Sequence, residues 1–197
     1  MDKLEEISVN CNLDGLAFEI EDDYICKNTV VSTYGEILPE SIAKIFKKIK
    51  IKDSDIFYDL GSGTGRVCFQ IYLEKNIKCI GIEYVKNRYD LSVISNNKLE
   101  NSKITFINDD FFNINWRNAT IIYICNTCHP IDLMNKIINK INEDCKALRY
   151  LILCKNLKTT PNNFKLIKEF NVKSSWSDYS RIFIYKIKYD YISVSLA

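Results

Sequence analysis

A glycine-rich loop between two apolar segments places the strongest restriction on how this chain can fold. Three of the six glycines lie within five residues, in the segment Asp59-Leu60-Gly61-Ser62-Gly63-Thr64-Gly65. An apolar strand pattern, residues 55–60, precedes the loop, and an apolar helix pattern, residues 66–73, follows it. Glycine allows sharp turns and lets a ligand approach the backbone closely. This order of strand, glycine loop and helix favours a ligand-binding turn over a plain tight turn.

The alternation of strand and helix patterns continues through most of the chain. Helices are predicted over 39–50, 66–73, 86–99 and 131–145, and strands over 55–60, 77–82, 103–108, 120–125, 149–154, 164–170 and 182–187. Strands that alternate with helices form parallel sheets, but the last two strands are too close in sequence for a helical crossover. We therefore predict an α/β fold with a doubly wound, mostly parallel seven-stranded sheet and an antiparallel C-terminal strand pair.

Length and charge indicate one domain with a short appendage. The chain has 197 residues, and residues 1–25 carry eight acids against one lysine, so that segment has a net charge of −7 and the remainder +9. We predict an acidic extension over residues 1–33 and a single domain over 34–197. Only five of the 27 basic residues are arginine, which favours solvated faces over a dedicated nucleic-acid surface without deciding the question. The oligomeric state is left open.

The sequence also restricts compartment and metal chemistry. No apolar run approaches the ~20 residues of a membrane span, and the acidic start lacks the features of a secretory signal. We expect a cytoplasmic or nuclear protein, no membrane partner and eight reduced cysteines. His129 is the only histidine, which excludes multi-histidine metal sites. Cys125 to His129 spell Cys-x-x-Cys-His, but they end a buried strand, so we predict neither haem nor metal there.

The residues around the glycine loop narrow the choice of ligand. A dinucleotide-binding loop needs a third glycine where this chain has Arg66, and the Gly-Lys-Ser/Thr of a phosphate-binding loop is absent. Asp59, directly before the loop, would repel a pyrophosphate and attract a cation. S-adenosyl-L-methionine carries an ammonium and a sulfonium group and no phosphate. We therefore predict that Asp59, Gly61 and Gly63 bind this cofactor.

Acids at the ends of the next two strands extend the predicted site. Glu83 ends the second strand, where a carboxylate can accept hydrogen bonds from both ribose hydroxyls, although it could also be a surface acid. Asp110 and Phe111 follow the third strand. Asp110 could accept from the adenine amino group and Phe111 could cover the ring. The alternative is that Asp109 and Asp110 cap the following turn.

These residues, in this order, resemble class I S-adenosylmethionine-dependent methyltransferases, and more narrowly the catalytic core of the DOT1 family of histone lysine methyltransferases. The match rests on a Tyr-Gly-Glu loop ahead of the Asp-Leu-Gly-Ser-Gly segment, an Asp-Phe followed by Trp, an Asn that ends the fourth strand and a Ser-Trp before the last strand. The matching residues are Tyr34, Gly35, Glu36, Asp110, Phe111, Trp116, Asn126, Ser175 and Trp176. The departures are Ile37 for a usual Thr, Arg66 for Gln, and Thr-Cys-His-Pro after Asn126.

The resemblance implies a methyltransferase that acts on a protein lysine, with a histone as one candidate substrate. It assigns Tyr34 and Asn126 to both cofactor binding and the transfer site, where Asn126 would face the methyl group. It assigns Glu36 to the methionine end of the cofactor, and Tyr34 and Trp176 to the channel walls. The alternatives are a methyltransferase for a small molecule or nucleic acid, and a cofactor-binding subunit without catalysis.

Overall fold

The computed structural model describes residues 34–189, and the acidic segment predicted over 1–33 lies outside this range. Four helices occupy the described range: α1 Pro39–Phe46, α2 Arg66–Lys75, α3 Lys86–Asn96 and α4 Ile131–Asp144. The strands are β1 Ile56–Leu60, β2 Lys78–Glu83, β3 Ile104–Asn108, β4 Ile121–Ile124, β5 Tyr150–Leu153, β6 Phe164–Ser174 and β7 Ser177–Ile187. A short 3-10 turn, Phe111–Asn113, follows β3. No helix in this part of the chain is long and apolar enough to cross a membrane.

Within the described residues, the seven strands form one sheet in the order β3-β2-β1-β4-β5-β7-β6. Strands β1 to β5 are parallel, whereas β7 is antiparallel to both β5 and β6. The predicted fold class is therefore confirmed, including the antiparallel C-terminal pair. Because the chain runs outward from β1 to β3 and then returns to place β4 on the other side of β1, the strand order reverses between β1 and β4. Ligands of such sheets bind at the carboxyl ends of the strands beside that reversal.

Apolar side chains cover both faces of the sheet. Strand β1 shows the alternation, because Phe57 packs into the cluster under α1 and α2, and Tyr58 packs into the cluster under α4. All four residues of β4 are buried, as expected for a central parallel strand. The helices therefore hold the sheet from two sides, and its strand ends stay open at the edge that carries the glycine loop.

The predicted ends of two helices and the predicted extent of the last hairpin were wrong. Helix α3 ends at Asn96 rather than at residue 99. Helix α1 ends at Phe46 rather than at residue 50, because only Ile49 of residues 47–50 is buried and no apolar stripe supports another turn. The last hairpin is longer than its apolar patterns indicate, since backbone pairing continues through polar residues to Ser174 and Ser177. The hairpin consequently turns at Ser175 and Trp176, which brings both residues to the edge of the site.

Candidate active site

A cavity of about 540 Å³ opens at the carboxyl ends of β1, β2 and β4. Its walls come from the glycine loop, the end of β2, the turn after β3 and the loop after β4, residues 125–129. The Tyr34-Gly35-Glu36 segment and Trp176 supply the opposite wall. Most of the residues proposed from the sequence therefore lie around one space, at the position where the fold favours a ligand.

The glycine loop is shaped to receive Tyr34. Gly63 has a φ of +56°, and a Cβ atom there would lie 2.7 Å from Cε2 of Tyr34. The Tyr34 hydroxyl donates to Oε1 of Glu36 at 2.6 Å and lies 3.1 Å from Oγ1 of Thr64. Burial, followed by the Glu36 carboxylate, raises the pKa of the Tyr34 hydroxyl well above its ordinary value. Tyr34 therefore has a neutral hydroxyl, and its ring packs directly against the glycine loop as one wall of the cavity.

Glu36 links the Tyr-Gly-Glu segment to two distant parts of the fold. Its Oε2 lies 2.8 Å from Nε of Arg66, the first residue of α2. Its backbone N–H donates to Oγ of Ser175 at 3.0 Å, and the Ser175 N–H donates back to the Glu36 carbonyl at 2.8 Å. Arg66, a departure from the family pattern, is thus the ion-pair partner of Glu36. These contacts place Trp176, which is about half exposed, on the rim.

Asp59 lies at the floor of the cavity, and one of its carboxyl oxygens has no hydrogen-bond partner among residues 34–189. The residue is 2% exposed, and its buried Oδ1 atom has no hydrogen-bond partner among residues 34–189. Burial is the main cause that raises the pKa of this carboxyl well above its ordinary value, and the Cys125 thiol and Glu83 raise it further. A buried carboxyl in this state is costly for the protein alone and gains free energy from a ligand that brings a donor or a cation.

Glu83 is bound to the backbone on both carboxylate oxygens. Oε2 accepts from the Gly63 N–H at 2.7 Å, and Oε1 accepts from the Val85 N–H at 2.9 Å. Burial raises the pKa of this carboxyl, while those backbone bonds and Arg88 lower it. Glu83 lines the cavity and is buried, so it is not a surface acid, and it holds the glycine loop through its bond to Gly63.

The turn after β3 presents one acid, Asp110, and two aromatic rings, Phe111 and Phe112, to the cavity. Asp110 Oδ1 accepts from the Phe112 N–H at 2.8 Å, so the capping alternative is present, and Asp110 also lines the cavity. Phe111 lies beside it, with its ring centroid 6.0 Å from that of the buried Trp116. The Trp116 indole donates to the Phe111 carbonyl at 2.7 Å, which fixes the turn.

Asn126 requires a correction, because its side chain does not line the larger cavity. Its Nδ2 donates to the Lys155 carbonyl at 3.0 Å, and its Oδ1 accepts from the Lys155 N–H at 2.7 Å. Neighbouring residues at a strand end point to opposite faces, so Cys125 takes the place facing the cavity and Asn126 points away. The amide joins the loops after β4 and β5 instead of facing a transferred group.

Arg88, Cys125 and His129 are among the cavity residues that the sequence reasoning missed. Arg88, on α3, is buried with its guanidinium carbon 4.7 Å from the centre of the Tyr34 ring. Cys125 lies beneath the cavity, where a hydrogen bond with Cys154 is the main cause that lowers the pKa of its thiol to about 7. His129 lines the outer wall. Arg88 is one of only five arginines, a weak signal, and neither Cys125 nor His129 has a periodicity that reveals its orientation.

The lining fits a cationic ligand that carries an aromatic base. It offers an unsatisfied buried oxygen on Asp59, a second buried carboxylate on Glu83 and the aromatic ring of Phe111. Within residues 34–189 there is no cluster of three or more His, Cys, Asp or Glu side chains suited to a metal ion. S-adenosyl-L-methionine has the charges and the adenine ring that these groups would accept.

Solved structures with a similar fold include methyltransferases of several kinds. An RNA methyltransferase from Salinibacter ruber, in complex with S-adenosyl-L-homocysteine, superposes with a TM-score of 0.59 at 14% identity, over 74% of this chain and 89% of that one. The Bacillus subtilis tRNA methyltransferase TrmK gives 0.58 at 16% identity, over 78% of this chain and 67% of that one. The sheet thus has the Rossmann-like fold of these methyltransferases.

The family is narrower than the fold. A family model described as "Histone methylation protein DOT1" matches residues 23–195, and the chain belongs to this family. It is similar to a protein of Aspergillus fumigatus named "Histone-lysine N-methyltransferase, H3 lysine-79 specific", with 28% identity over 77% of this chain and 36% of that protein. A Caenorhabditis elegans protein of the same name is 30% identical over 68% of this chain and 16% of its own length. The chain thus spans about a third or less of these curated relatives.

Proposed function

We propose that this chain is an S-adenosyl-L-methionine-dependent methyltransferase that modifies a lysine amine of a protein, with a histone as the first acceptor to test. The observation that carries the proposal is the docking of Tyr34 and Glu36 over the glycine loop. Tyr34 thereby forms a wall of the cavity that has Asp59 at its floor and Trp176 on its rim. The relatives named as histone-lysine N-methyltransferases support the acceptor class. A histone acceptor would place the protein where it can reach chromatin.

The residues for the cofactor follow from the cavity lining. Asp59 would accept from a donor of the cofactor, because its Oδ1 has no partner among residues 34–189. Glu83 would accept from the ribose hydroxyls with the lone pairs that its two backbone bonds leave over. Phe111 would cover the adenine ring. When bound, S-adenosyl-L-methionine would supply a methyl carbon that a neutral amine can attack, so that the carbon–sulfur bond breaks, S-adenosyl-L-homocysteine leaves as a neutral thioether and the methylated ammonium releases its proton to water.

The part of the cavity between Tyr34 and Trp176 would hold the lysine side chain and favour its neutral amine. A lysine ammonium is disfavoured in an apolar channel, so the neutral, nucleophilic form is the one that enters. Tyr34 and Trp176 would form the walls of this channel and exclude water. Tyr34 stays neutral and bonded to Glu36, so it orients the wall without taking the proton of the amine. Alignment of the amine with the sulfonium carbon then supplies the remaining rate advantage.

The test is incubation with methyl-labelled S-adenosyl-L-methionine and separate acceptors: core histones, nucleosomes, total protein, RNA and DNA. We expect label in protein, and loss of the label when Asp59→Asn removes the buried carboxyl. The exposed Asp53→Asn is the matched control and should keep full labelling. Label only in RNA, DNA or small molecules would contradict the lysine assignment. Cofactor binding without label in any acceptor would favour a non-catalytic subunit.

A further inference from the structure

A second cavity, of about 340 Å³, lies beside the larger one. Its walls are the start of α4 and the loop after β5, residues 155–159. His129 lines both cavities, so the two spaces share one side chain as their partition. The hydrogen bonds between Asn126 and Lys155 join the two loops that carry these walls. The smaller cavity is therefore tied to the larger one by the residues after β4.

The chemistry of the smaller cavity favours a peptide segment. Met134, Ile138 and Leu157 are buried and form an apolar floor. Ile131, at the first position of α4, is 46% exposed at the opening. The exposed side chains of Lys155 and Lys158 stand on the opposite wall. An apolar side chain would fill the floor, and the two lysines would favour an acidic rather than a basic segment around it.

His129 is arranged to give a neutral hydrogen-bond donor at the partition. Its Nδ1 atom is buried and has no hydrogen-bond partner among residues 34–189, so only Nε2 can meet a bound molecule. Buried N–H groups without an acceptor are rarer than acceptors without a donor, which assigns the proton of the neutral ring to Nε2. Burial lowers the pKa of the imidazole and keeps the ring neutral.

We propose that the smaller cavity is an acceptor subsite that takes an apolar side chain flanking the methylated lysine, while the Nε2–H of His129 donates to a backbone carbonyl of the same segment. The subsite rests on the proposed function, because it needs a protein acceptor that reaches the larger cavity. Its role is to hold the acceptor in register across the partition. His129 is thus a residue for acceptor binding and not a base.

The first test uses two exposed isoleucines. Ile131→Asp puts a charge at the opening of the subsite, at a helix start where an acid is favourable for folding. Ile94→Asp makes the same change on α3, where Ile94 is 50% exposed and lines neither cavity. We expect the KM for the protein acceptor to rise about tenfold or more in Ile131→Asp, with cofactor affinity unchanged, and neither to change in Ile94→Asp. Equal KM values in the two variants would overturn the subsite.

The second test separates the hydrogen-bond donor role of His129 from its role in packing. His129→Gln can still present an N–H, whereas His129→Leu cannot. We expect the acceptor KM to rise about tenfold in His129→Leu and to be largely restored in His129→Gln, with kcat little changed in both. If both variants lose kcat and cofactor affinity together, His129 acts through structure and the assignment fails. If the wild-type protein labels no acceptor protein at all, the proposed function itself is refuted. If lysines are labelled but the KM values of the variants equal that of the wild type, only the proposed subsite is refuted.

Discussion

The carboxylate of Glu83 should stabilise the folded protein in addition to lining the cavity. It pairs two buried backbone donors, the N–H groups of Gly63 and Val85. Each donor left without a partner costs about 1–3 kcal/mol. Removing the buried carboxyl returns part of this cost, because burial already raises its pKa and disfavours its charged form. We therefore expect Glu83→Ala to lower the free energy of unfolding by about 2–3 kcal/mol, from these two terms.

Urea unfolding followed by circular dichroism measures this loss. Glu83→Gln should fall between the wild type and alanine, because its single side-chain oxygen can still accept one of the two bonds. Glu100→Ala changes an exposed glutamate and should stay within about 0.5 kcal/mol of the wild type. If Glu83→Ala is as stable as Glu100→Ala, the carboxylate does not hold the glycine loop and the reasoning is refuted.

Other predictions concern the buried acid, the ligand and the histidine. Asp59→Asn should stabilise the protein without ligand, because it removes a buried carboxyl whose Oδ1 has no hydrogen-bond partner among residues 34–189. It should also weaken cofactor binding about 10- to 150-fold by calorimetry, and unchanged affinity would remove Asp59 from the site. S-adenosyl-L-homocysteine at a hundredfold excess over its Kd should add about 2.7 kcal/mol of stability, and NAD or ATP little, so a melting shift with NAD alone would contradict the ligand assignment. Burial lowers the pKa of His129 in the folded protein, so over the pH range between the folded and unfolded pKa values the unfolded chain binds a proton that the folded chain does not. The free energy of unfolding should therefore fall as the pH drops through the ordinary titration range of histidine. As the only histidine, it can be followed by NMR, and an ordinary pKa would contradict its burial.

The order of elements could be predicted from the sequence because apolar periodicity reports burial directly. The continuous apolar run that became β4 and the glycine loop before α2 are examples. The hairpin β6–β7 was underestimated, since its outer part pairs through the backbone and polar side chains give no periodic signal. A local pattern thus predicts which segments enter the core, but not how far a backbone ladder continues.

Side-chain direction at the strand ends was the part that the sequence could not supply. Asn126 and Cys125 are neighbours, and only the register of β4 decides which of them faces the cavity. The partners of Glu36, Arg66 and Ser175, are brought together by the tertiary fold. These contacts lie far apart in the chain, so no local spacing could reveal them.

The most direct measurement of the central claim is mass spectrometry of core histones and nucleosomes after reaction with methyl-labelled S-adenosyl-L-methionine. The proposed function predicts labelled methyl groups on lysine side-chain amines, present with the wild type and with Asp53→Asn and lost with Asp59→Asn. Label on other residue types only, or lysine label that persists in Asp59→Asn, would contradict the assignment of this cavity to lysine methylation.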